Sequence, residues 1–159
     1  MDSLLSGVAL VTGASSGIGR ATCIALAKHG VTKFALLDRD SEGGELTIQK
    51  LKDVPGEREC LFIQVDMSDH NAVTTAVAEA VARFQRIDYA VSNVGIAGPI
   101  GSSLTFSPVE LQHILNVNLV SQFALQKELL VHMQKQSIPP PTGCALCNSR
   151  FKDPPQRLT

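Results

Sequence analysis

Short apolar runs alternate along the chain with longer segments in which apolar residues recur every three or four positions. The short runs are rich in Val, Ile, Leu and Ala, which is typical of strands buried on both faces of a sheet. The longer segments have the periodicity of helices that lay one face on a core. The predicted strands are residues 8–12, 33–38, 60–65 and 87–92, and the predicted helices are residues 18–29, 41–52, 69–84 and 107–136.

Residues that favour helix ends support this division. Gly30 suits the left-handed position after the first helix, and Ser68 is the predicted N-cap of the third helix. Ser107, followed by Pro108, is the predicted start of the fourth helix. Strands that alternate with helices pair in parallel through right-handed crossovers. The sequence therefore predicts an α/β fold with a doubly wound parallel sheet of the Rossmann type.

The alternation ends near the C-terminus. Residues 139–141 are consecutive prolines, and residues 144–147 are predicted to begin a fifth strand. Residues 148–159 are polar and contain further prolines, which predicts an irregular tail. We therefore expect one domain over residues 1–147, with a sheet that is incomplete after the fifth strand.

The most informative chemical motif follows the first predicted strand. Residues 12–19 read Thr-Gly-Ala-Ser-Ser-Gly-Ile-Gly, so that Gly13, Gly17 and Gly19 lie between a strand and a helix. Glycines in this position let the backbone approach an anionic ligand closely, and a helix start at Gly17 and Ile18 offers free N–H groups to a phosphate. This domain is thus predicted to bind a dinucleotide.

Polar residues mark the carboxyl ends of the other predicted strands. Asp38 closes the second strand, about 20 residues after the last glycine, where dinucleotide-binding domains place a carboxylate for the ribose hydroxyls. Such a carboxylate favours NAD over NADP, although the neighbouring Arg39 is able to pair with a 2′-phosphate instead. Our prediction is NAD or NADP, with NAD favoured. Asp66 and Asn93 end the third and fourth strands, where ligands of such sheets bind.

Composition excludes several classes of partner. The 159 residues carry a net charge of −1, so we expect neither nucleic acid nor a membrane surface as a partner. The longest apolar runs have the length of strands, and residues 1–6 lack the features of a secretory signal. The expected location is therefore the cytoplasm.

The four cysteines do not indicate a metal site. Cys23 and Cys60 fall within a predicted helix and strand, where a thiol usually behaves as a small buried apolar group. Cys144 and Cys147 form a C-x-x-C, but a zinc site needs four ligands and no second pair or suitably spaced His follows. We predict no metal.

Together these residues resemble the short-chain dehydrogenase/reductase family. Residues 12–19 match its T-G-x-x-x-G-x-G loop, and residues 65–66 resemble its acidic position beside the adenine. Residues 92–95 resemble its N-N-A-G segment with two substitutions, and residues 116–118 resemble the segment that carries its helix asparagine. The resemblance extends from about residue 5 to about residue 136.

The resemblance implies roles for individual residues. Ile18 would lie under the cofactor, Asp66 would bind the adenine amine, and Asn93 would hold the loop against the adenosine ribose. Asn118 would be the first member of an Asn-Ser-Tyr-Lys tetrad, and Ser149 lies near the position of its serine. The cofactor-binding residues implied by motif and resemblance together are Gly13, Ser15, Ser16, Gly17, Ile18, Gly19, Asp38, Asp66, Asn93, Gly95 and Lys127.

Structural alternatives stay open for four of these residues. Asp66 would also serve as the cap of the next turn, and Asn93 would also serve as a turn residue that ends its strand. Asn118 would also be satisfied by a backbone hydrogen bond, and Lys127 would also fit a solvated helix face.

The catalytic half of the family pattern is absent from this chain. Its one tyrosine, Tyr89, lies inside the fourth predicted strand and indicates packing, and no Tyr-x-x-x-Lys occurs. The chain therefore resembles a C-terminally truncated member of this family. The implied activity is hydride transfer between NAD(P) and an alcohol or ketone, without the tyrosine that acts as general acid and base. The alternatives are a non-catalytic dinucleotide-binding or dimerising module and a non-functional product.

The apolar positions of the long fourth helix have two interpretations. The favoured one places Leu111, Ile114, Leu115, Leu119 and Phe123 against the sheet. The other makes them a surface for pairing between subunits, because the helix resembles one that the family uses in this way. A homo-oligomer formed through this helix is therefore an expected partner, alongside a small-molecule substrate.

Overall fold

The computed structural model describes residues 4–99, 104 and 106–137. Four parallel strands form one sheet in the order β3-β2-β1-β4. The strands are β1 Val8–Thr12, β2 Lys33–Asp38, β3 Glu59–Gln64 and β4 Tyr89–Val91. The helices are α1 Gly17–Lys28, α2 Ser41–Lys52, α3 His70–Phe84, α4 Pro108–Leu115 and α5 Ser121–Met133, with a π-helical turn at Asn116–Val120 between the last two. The predicted α/β class is confirmed.

Helices cover the sheet on both faces, as the apolar strands require. In β1, Val8 and Leu10 belong to the apolar layer between the sheet and the helices α3 and α5. The alternate residues Ala9 and Val11 belong to the opposite layer, which packs against α1 and α2. Because successive side chains of a strand point to opposite faces, continuous burial of a strand requires two covered faces. This arrangement confirms the doubly wound architecture.

The order of the strands places a crevice beside β1. The chain moves from β1 outward to β2 and β3, and then returns to the other side of β1 to form β4. The loops that follow β1 and β4 therefore leave the sheet in different directions at the same edge. Ligands of open α/β sheets bind at such a switch in strand order, beyond the carboxyl ends of the strands.

The predicted cap of α3 was wrong. Helix α3 begins at His70, and its N-cap is Asp69, whose carboxylate accepts hydrogen bonds from the backbone N–H groups of Asn71 and Ala72. The hydroxyl of Ser68 is engaged elsewhere, since it donates to Asp66 Oδ1 at 2.8 Å. The predicted caps Ser107 and Gly30 are confirmed, because Ser107 forms a capping box with Glu110 and Gly30 has a φ of 114°.

The favoured interpretation of the long fourth helix was also wrong. Leu111, Leu115, Leu119 and Phe123 are exposed, Leu119 by 63% and Phe123 by 68%. The buried residues of this segment are Val117, Ser121, Leu125 and Leu129. Residues two positions apart on a helix lie on nearly opposite faces, so the row through Leu119 and the row through Val117 cannot both meet the sheet. Leu111, Leu115, Leu119 and Phe123 therefore face away from the sheet, while Ile114 is half-buried.

Two further findings concern the limits of the sequence predictions. The residues predicted as a fifth strand, 144–147, and as a tail, 148–159, lie outside the described residues. Within the described part of the chain, no helix is both long enough and apolar enough to cross a bilayer.

Candidate functional site

The glycine-rich turn folds tightly onto the start of α1. A Cβ atom on Gly19 would lie 2.0 Å from the carbonyl oxygen of Gly13, so only glycine fits there. Gly13 itself has a φ of 66°, and its own space is closed by the side chain of Asn93. The turn and the first turn of α1 are therefore packed backbone against backbone, as the glycine spacing predicts.

The outer face of this turn is open. Ser16, Gly17 and Ile18 are exposed, and the side chain of Ile18 is exposed by 77%. Ser16 is the N-cap of α1, but its side chain makes no capping hydrogen bond, and the first turn of α1 contains no acidic residue. The first N–H groups of a helix have no partners inside it. The open turn thus has the donors and the dipole that favour an anion.

A buried hydroxyl joins the ends of β1 and β4. Thr12 Oγ1 accepts hydrogen bonds from the backbone N–H groups of Asn93, at 3.0 Å, and Val94, at 3.3 Å. In return, Asn93 Nδ2 donates to the carbonyl oxygens of Thr12, at 3.2 Å, and Gly13, at 3.5 Å. Asn93 thus does more than end its strand, because it holds the glycine-rich turn against the β4 loop. The importance of Thr12 was missed, although a polar residue at the end of an apolar strand was visible in the sequence.

Asp38 holds the turn from the other side. Its Oδ2 accepts from the backbone N–H of Ser15 at 2.9 Å, and its Oδ1 accepts from that of Asp40 at 3.1 Å. The hydroxyl of the buried Ser15 donates to the carbonyl of Asp40 at 2.7 Å. The side chain of Ser15 therefore shapes the turn, while the half-buried carboxylate of Asp38 retains accepting capacity on each oxygen.

Asp66 closes the turn that precedes α3. Its Oδ1 accepts from both the backbone N–H and the hydroxyl of Ser68, each at 2.8 Å. These hydrogen bonds hold the pKa of the Asp66 carboxyl below its usual value, and electrostatic interaction with the neighbouring Arg39 lowers this pKa further. The capping alternative for Asp66 is therefore present in the structure. Its Oδ2 accepts no hydrogen bond from the described residues, and Asp66 is exposed.

The π-helical turn carries Asn118. Its Oδ1 accepts from the backbone N–H of Ile96 and its Nδ2 donates to the carbonyl of Ile96, both at 2.8 Å. Gly95 lies beside this pair, since a Cβ atom on Gly95 would lie 3.5 Å from Asn118 Oδ1. Asn118 thus makes the backbone hydrogen bonds that the sequence left as an alternative, and it makes them to the loop that follows β4. Single-turn π-helices often occur at functional sites.

Gln122 provides a second attachment of the same loop, and the sequence prediction missed it. Its Nε2 donates to the carbonyl of Val94 at 3.1 Å, and its Oε1 accepts from the hydroxyl of Ser92. A glutamine four residues after an asparagine has no distinctive pattern in a single sequence. Only the return of the loop to the helix reveals its role.

Three of the residues singled out in the sequence are not brought into this cluster. Lys127 is exposed on α5, and no hydrogen bond or ion pair joins it to the other site residues within the described part of the chain. Tyr89 is half-buried in β4 and packs against the apolar layer beside α1 and α2. Ser149 lies outside the described residues.

Comparison with known proteins agrees with this geometry. The sequence profile described as short chain dehydrogenase matches residues 7–138. The chain belongs to the short-chain dehydrogenase family. The matched region includes the whole cluster of β1, the glycine-rich turn, the β4 loop and the π-helical turn.

Relatives in the family act on different small molecules. The chain is 34% identical to levodione reductase of Leifsonia aquatica over 129 residues, which are 81% of this chain and 48% of that protein. It is 35% identical to a 3beta-hydroxysteroid dehydrogenase of Mediterraneibacter gnavus over 144 residues, which are 89% of this chain and 48% of that protein. The chain thus spans about half the length of these curated relatives.

Solved structures show the same fold. The crystal structure of levodione reductase matches with a TM-score of 0.77 and 33% identity, covering 80% of this chain and 49% of that one. An NAD+-bound xylitol dehydrogenase matches with a TM-score of 0.74 and 28% identity, covering 79% of this chain and 47% of that one. The short-chain dehydrogenase resemblance found in the sequence is therefore confirmed.

Proposed function

We propose that this chain binds a nicotinamide dinucleotide across the carboxyl ends of β1, β2 and β4. The diphosphate would contact the backbone N–H groups of Ser16, Gly17 and Ile18 at the exposed start of α1. One observation carries this proposal: the turn is fixed from both sides, by Asn93 and by Asp38, while its outer face is open. Such a rigid, unobstructed set of donors fits an anionic group.

The nucleoside would lie along the strand ends that follow the turn. Asp38 would accept hydrogen bonds from the adenosine ribose, and Asp66 would accept one from the adenine amine. Asn93 and Gly95 would form the wall of the β4 loop, and the apolar side chain of Ile18 would be covered. Gly13, Ser15 and Gly19 would act through the shape of the turn, and Lys127 would contribute only if the nicotinamide end reaches α5.

For a protein with this fold and these motifs, the proposed reaction is hydride transfer between NAD(P) and an alcohol or ketone. The bound dinucleotide supplies the hydride chemistry. Asn118 would position the loop next to the reaction site and relay protons through water. Ser149, which lies outside the described residues, is the proposed serine of the tetrad. Without a Tyr-x-x-x-Lys in its sequence, the 159-residue chain is expected to bind the dinucleotide and to turn over poorly.

Titration calorimetry with NAD+ and NADP+ tests this proposal on the purified 159-residue chain. We expect saturable binding of at least one dinucleotide, and competition by ADP-ribose. A folded chain that binds neither NAD+ nor NADP+ would exclude the proposal. A separate assay of NADH oxidation with a panel of ketones tests the expected loss of turnover.

A second function is favoured by the surface of the long fourth helix. Leu111, Leu115, Leu119 and Phe123 form an exposed apolar stripe, which a second copy of this chain would cover. The chain would then pair as a homo-oligomer through this stripe, with or without catalysis. Such pairing is compatible with dinucleotide binding, because the stripe faces away from the sheet.

We also propose a cytoplasmic location. Cys23 and Cys60 are free thiols, and burial raises the pKa of Cys23 to about 12 and that of Cys60 to about 11. These thiols behave as small apolar groups and not as nucleophiles. Free cysteines of this kind are typical of proteins in a reducing compartment.

A further inference from the structure

The side chain of Arg20 reaches from α1 behind the glycine-rich turn. Its guanidinium donates one hydrogen bond to the carbonyl of Ser15 and another to that of Gly43, the latter at 3.3 Å. Its Nε donates to the hydroxyl of Thr47 at 2.9 Å. One side chain therefore connects the turn after β1, helix α1 and helix α2.

Thr47 extends this connection to the neighbouring peptide. Its buried hydroxyl accepts from Arg20 and lies 2.8 Å from the carbonyl of Ala14 and 3.0 Å from that of Gly43. Gly43 permits the close approach of α2, because a Cβ atom there would lie 2.7 Å from the carbonyl oxygen of Ser15. The rear of the turn is thus a cluster of backbone carbonyls held by two side chains.

The orientation of these carbonyls determines where the N–H groups of the turn point. In a trans peptide the C=O and the following N–H point in opposite directions. The carbonyl of Ala14 faces Thr47, and the N–H of the same peptide, that of Ser15, faces Asp38. By the same geometry, the carbonyl of Ser15 faces Arg20, so the N–H of the exposed Ser16 points away from it.

Arg20 also places a positive charge next to the turn. Among residues 4–99, 104 and 106–137, no carboxylate forms an ion pair with it. Its partners are a hydroxyl and carbonyl dipoles, which leave the net charge in place. In a partly buried setting such a charge attracts an anion more strongly than it would in water.

We propose that Arg20 is a positioning residue for the diphosphate of the dinucleotide. It fixes the Ser15–Ser16 peptide so that its N–H faces the ligand, and it supplies a positive charge behind the turn. Thr47 supports it by orienting the guanidinium and the Ala14 carbonyl. This inference rests on the proposed binding of a dinucleotide at the turn, and it concerns no group that touches the reacting atoms.

The test compares ligands with and without a diphosphate. The 159-residue chain and its variants Arg20→Met, Arg20→Lys and Thr47→Val are titrated with ADP-ribose by calorimetry and with adenosine by NMR. Lys28→Met is the matched control, because it removes one positive charge from the exposed far end of the same helix. Thermal unfolding is followed for every variant.

We expect Arg20→Met to weaken ADP-ribose binding about tenfold or more, while adenosine binding changes by less than about twofold. Arg20→Lys keeps the positive charge but loses the several N–H donors of the guanidinium, and Thr47→Val removes one acceptor of that guanidinium. Both variants should therefore lose less ADP-ribose affinity than Arg20→Met, and adenosine binding should again change little. If Arg20→Met does not fold, these two variants decide the question. Lys28→Met should bind both ligands as the parent chain does.

Two outcomes would overturn the inference while leaving the proposed function intact. In one, the parent chain binds ADP-ribose and the Arg20 and Thr47 variants bind it equally well. In the other, the variants lose ADP-ribose and adenosine affinity by the same factor, as a purely structural role would require. A parent chain that binds no ADP-ribose, NAD+ or NADP+ would instead contradict the proposed function itself.

Discussion

Asn118 pairs its side-chain amide with both backbone groups of Ile96, accepting from its N–H and donating to its C=O at 2.8 Å each. This two-point contact joins the π-helical turn to the loop that follows β4. The same loop contains Asn93, which holds the glycine-rich turn. The helix is therefore connected to the proposed diphosphate site through the β4 loop, which is hydrogen-bonded to the helix at Ile96 and to the turn at Asn93.

Replacing Asn118 tests this connection. Asn118→Ala removes both hydrogen bonds to Ile96, and we expect the free energy of unfolding to fall by about 1–2 kcal/mol. Amide hydrogen exchange of Ile96 should become faster, while that of Leu36 in the centre of the sheet changes only with global stability. The exposed Gln126→Ala on α5 is the control. Unchanged protection of Ile96 in Asn118→Ala would contradict the role of this pair.

Acidification should release the turn at Asp66. The hydrogen bonds from Ser68 lower the pKa of this carboxyl below the reference value of 3.8, so its protonated form is disfavoured in the folded state. A lowered pKa contributes stability above the unfolded-state pKa, and this contribution is lost as the pH falls through the folded-state pKa. The stability difference between the parent chain and Asp66→Asn should therefore be greatest at neutral pH and diminish below about pH 4.

An NMR titration of the Asp66 carboxyl checks the cause of this pH dependence. Ser68→Ala removes the hydroxyl donor and keeps the backbone donor, so it should move the pKa of Asp66 only part of the way back to its usual value. If the Asp66 pKa in the parent chain equals that in Ser68→Ala, the hydroxyl does not contribute and the explanation is wrong.

Gly19→Ala tests the close packing of the glycine-rich turn. The added methyl group would overlap the carbonyl oxygen of Gly13, and the turn would have to move away from α1. We expect a loss of stability of about 1–3 kcal/mol and a loss of NAD+ binding beyond detection by calorimetry. Ala25→Ser, at an exposed position of the same helix, is the control. Normal NAD+ binding by a folded Gly19→Ala chain would refute this account of the turn.

The residues whose positions were predicted well depend on local patterns. The buried strand β1 and the glycines after it combine an apolar run with residues that only a tight turn accepts, so both were visible in the sequence. The end of β2 at Asp38 was found for the same reason. These signals need no knowledge of the rest of the chain.

The residues that were missed depend on distant partners. Arg20 and Gln122 acquire their roles from Thr47 and from the β4 loop, which are 27 and about 30 positions away. The competition between Ser68 and Asp69 for the cap of α3 was decided by Asp66, whose carboxylate takes the serine hydroxyl. The long fourth helix has apolar residues on two opposite faces, and the sequence alone did not show which face meets the sheet.

The exposed stripe of this helix leads to a prediction about association. Phe123→Asp places a charge on the most exposed residue of the stripe, at its C-terminal end, and we expect it to convert a homo-oligomer into a monomer in sedimentation experiments. Because Phe123 is exposed in the single chain, the stability of the monomer should change by less than about 0.5 kcal/mol. Gln126→Asp is the control. A parent chain that sediments as a monomer at high concentration would argue against pairing through the stripe.

The choice between NAD and NADP should depend on Asp38. Its carboxylate favours ribose hydroxyls and repels a 2′-phosphate, so we expect the parent chain to bind NAD+ more tightly than NADP+. Asp38→Asn keeps an oxygen that accepts from the Ser15 N–H and removes the negative charge, which should reduce the preference for NAD+ about tenfold. The opposite change is expected for Arg39→Gln, since this variant removes the nearby positive charge and should raise the preference for NAD+. Calorimetric titration of both variants with both dinucleotides measures these ratios. If Asp38→Asn leaves the ratio unchanged, the carboxylate serves only to hold the turn, and cofactor choice must be determined by other residues.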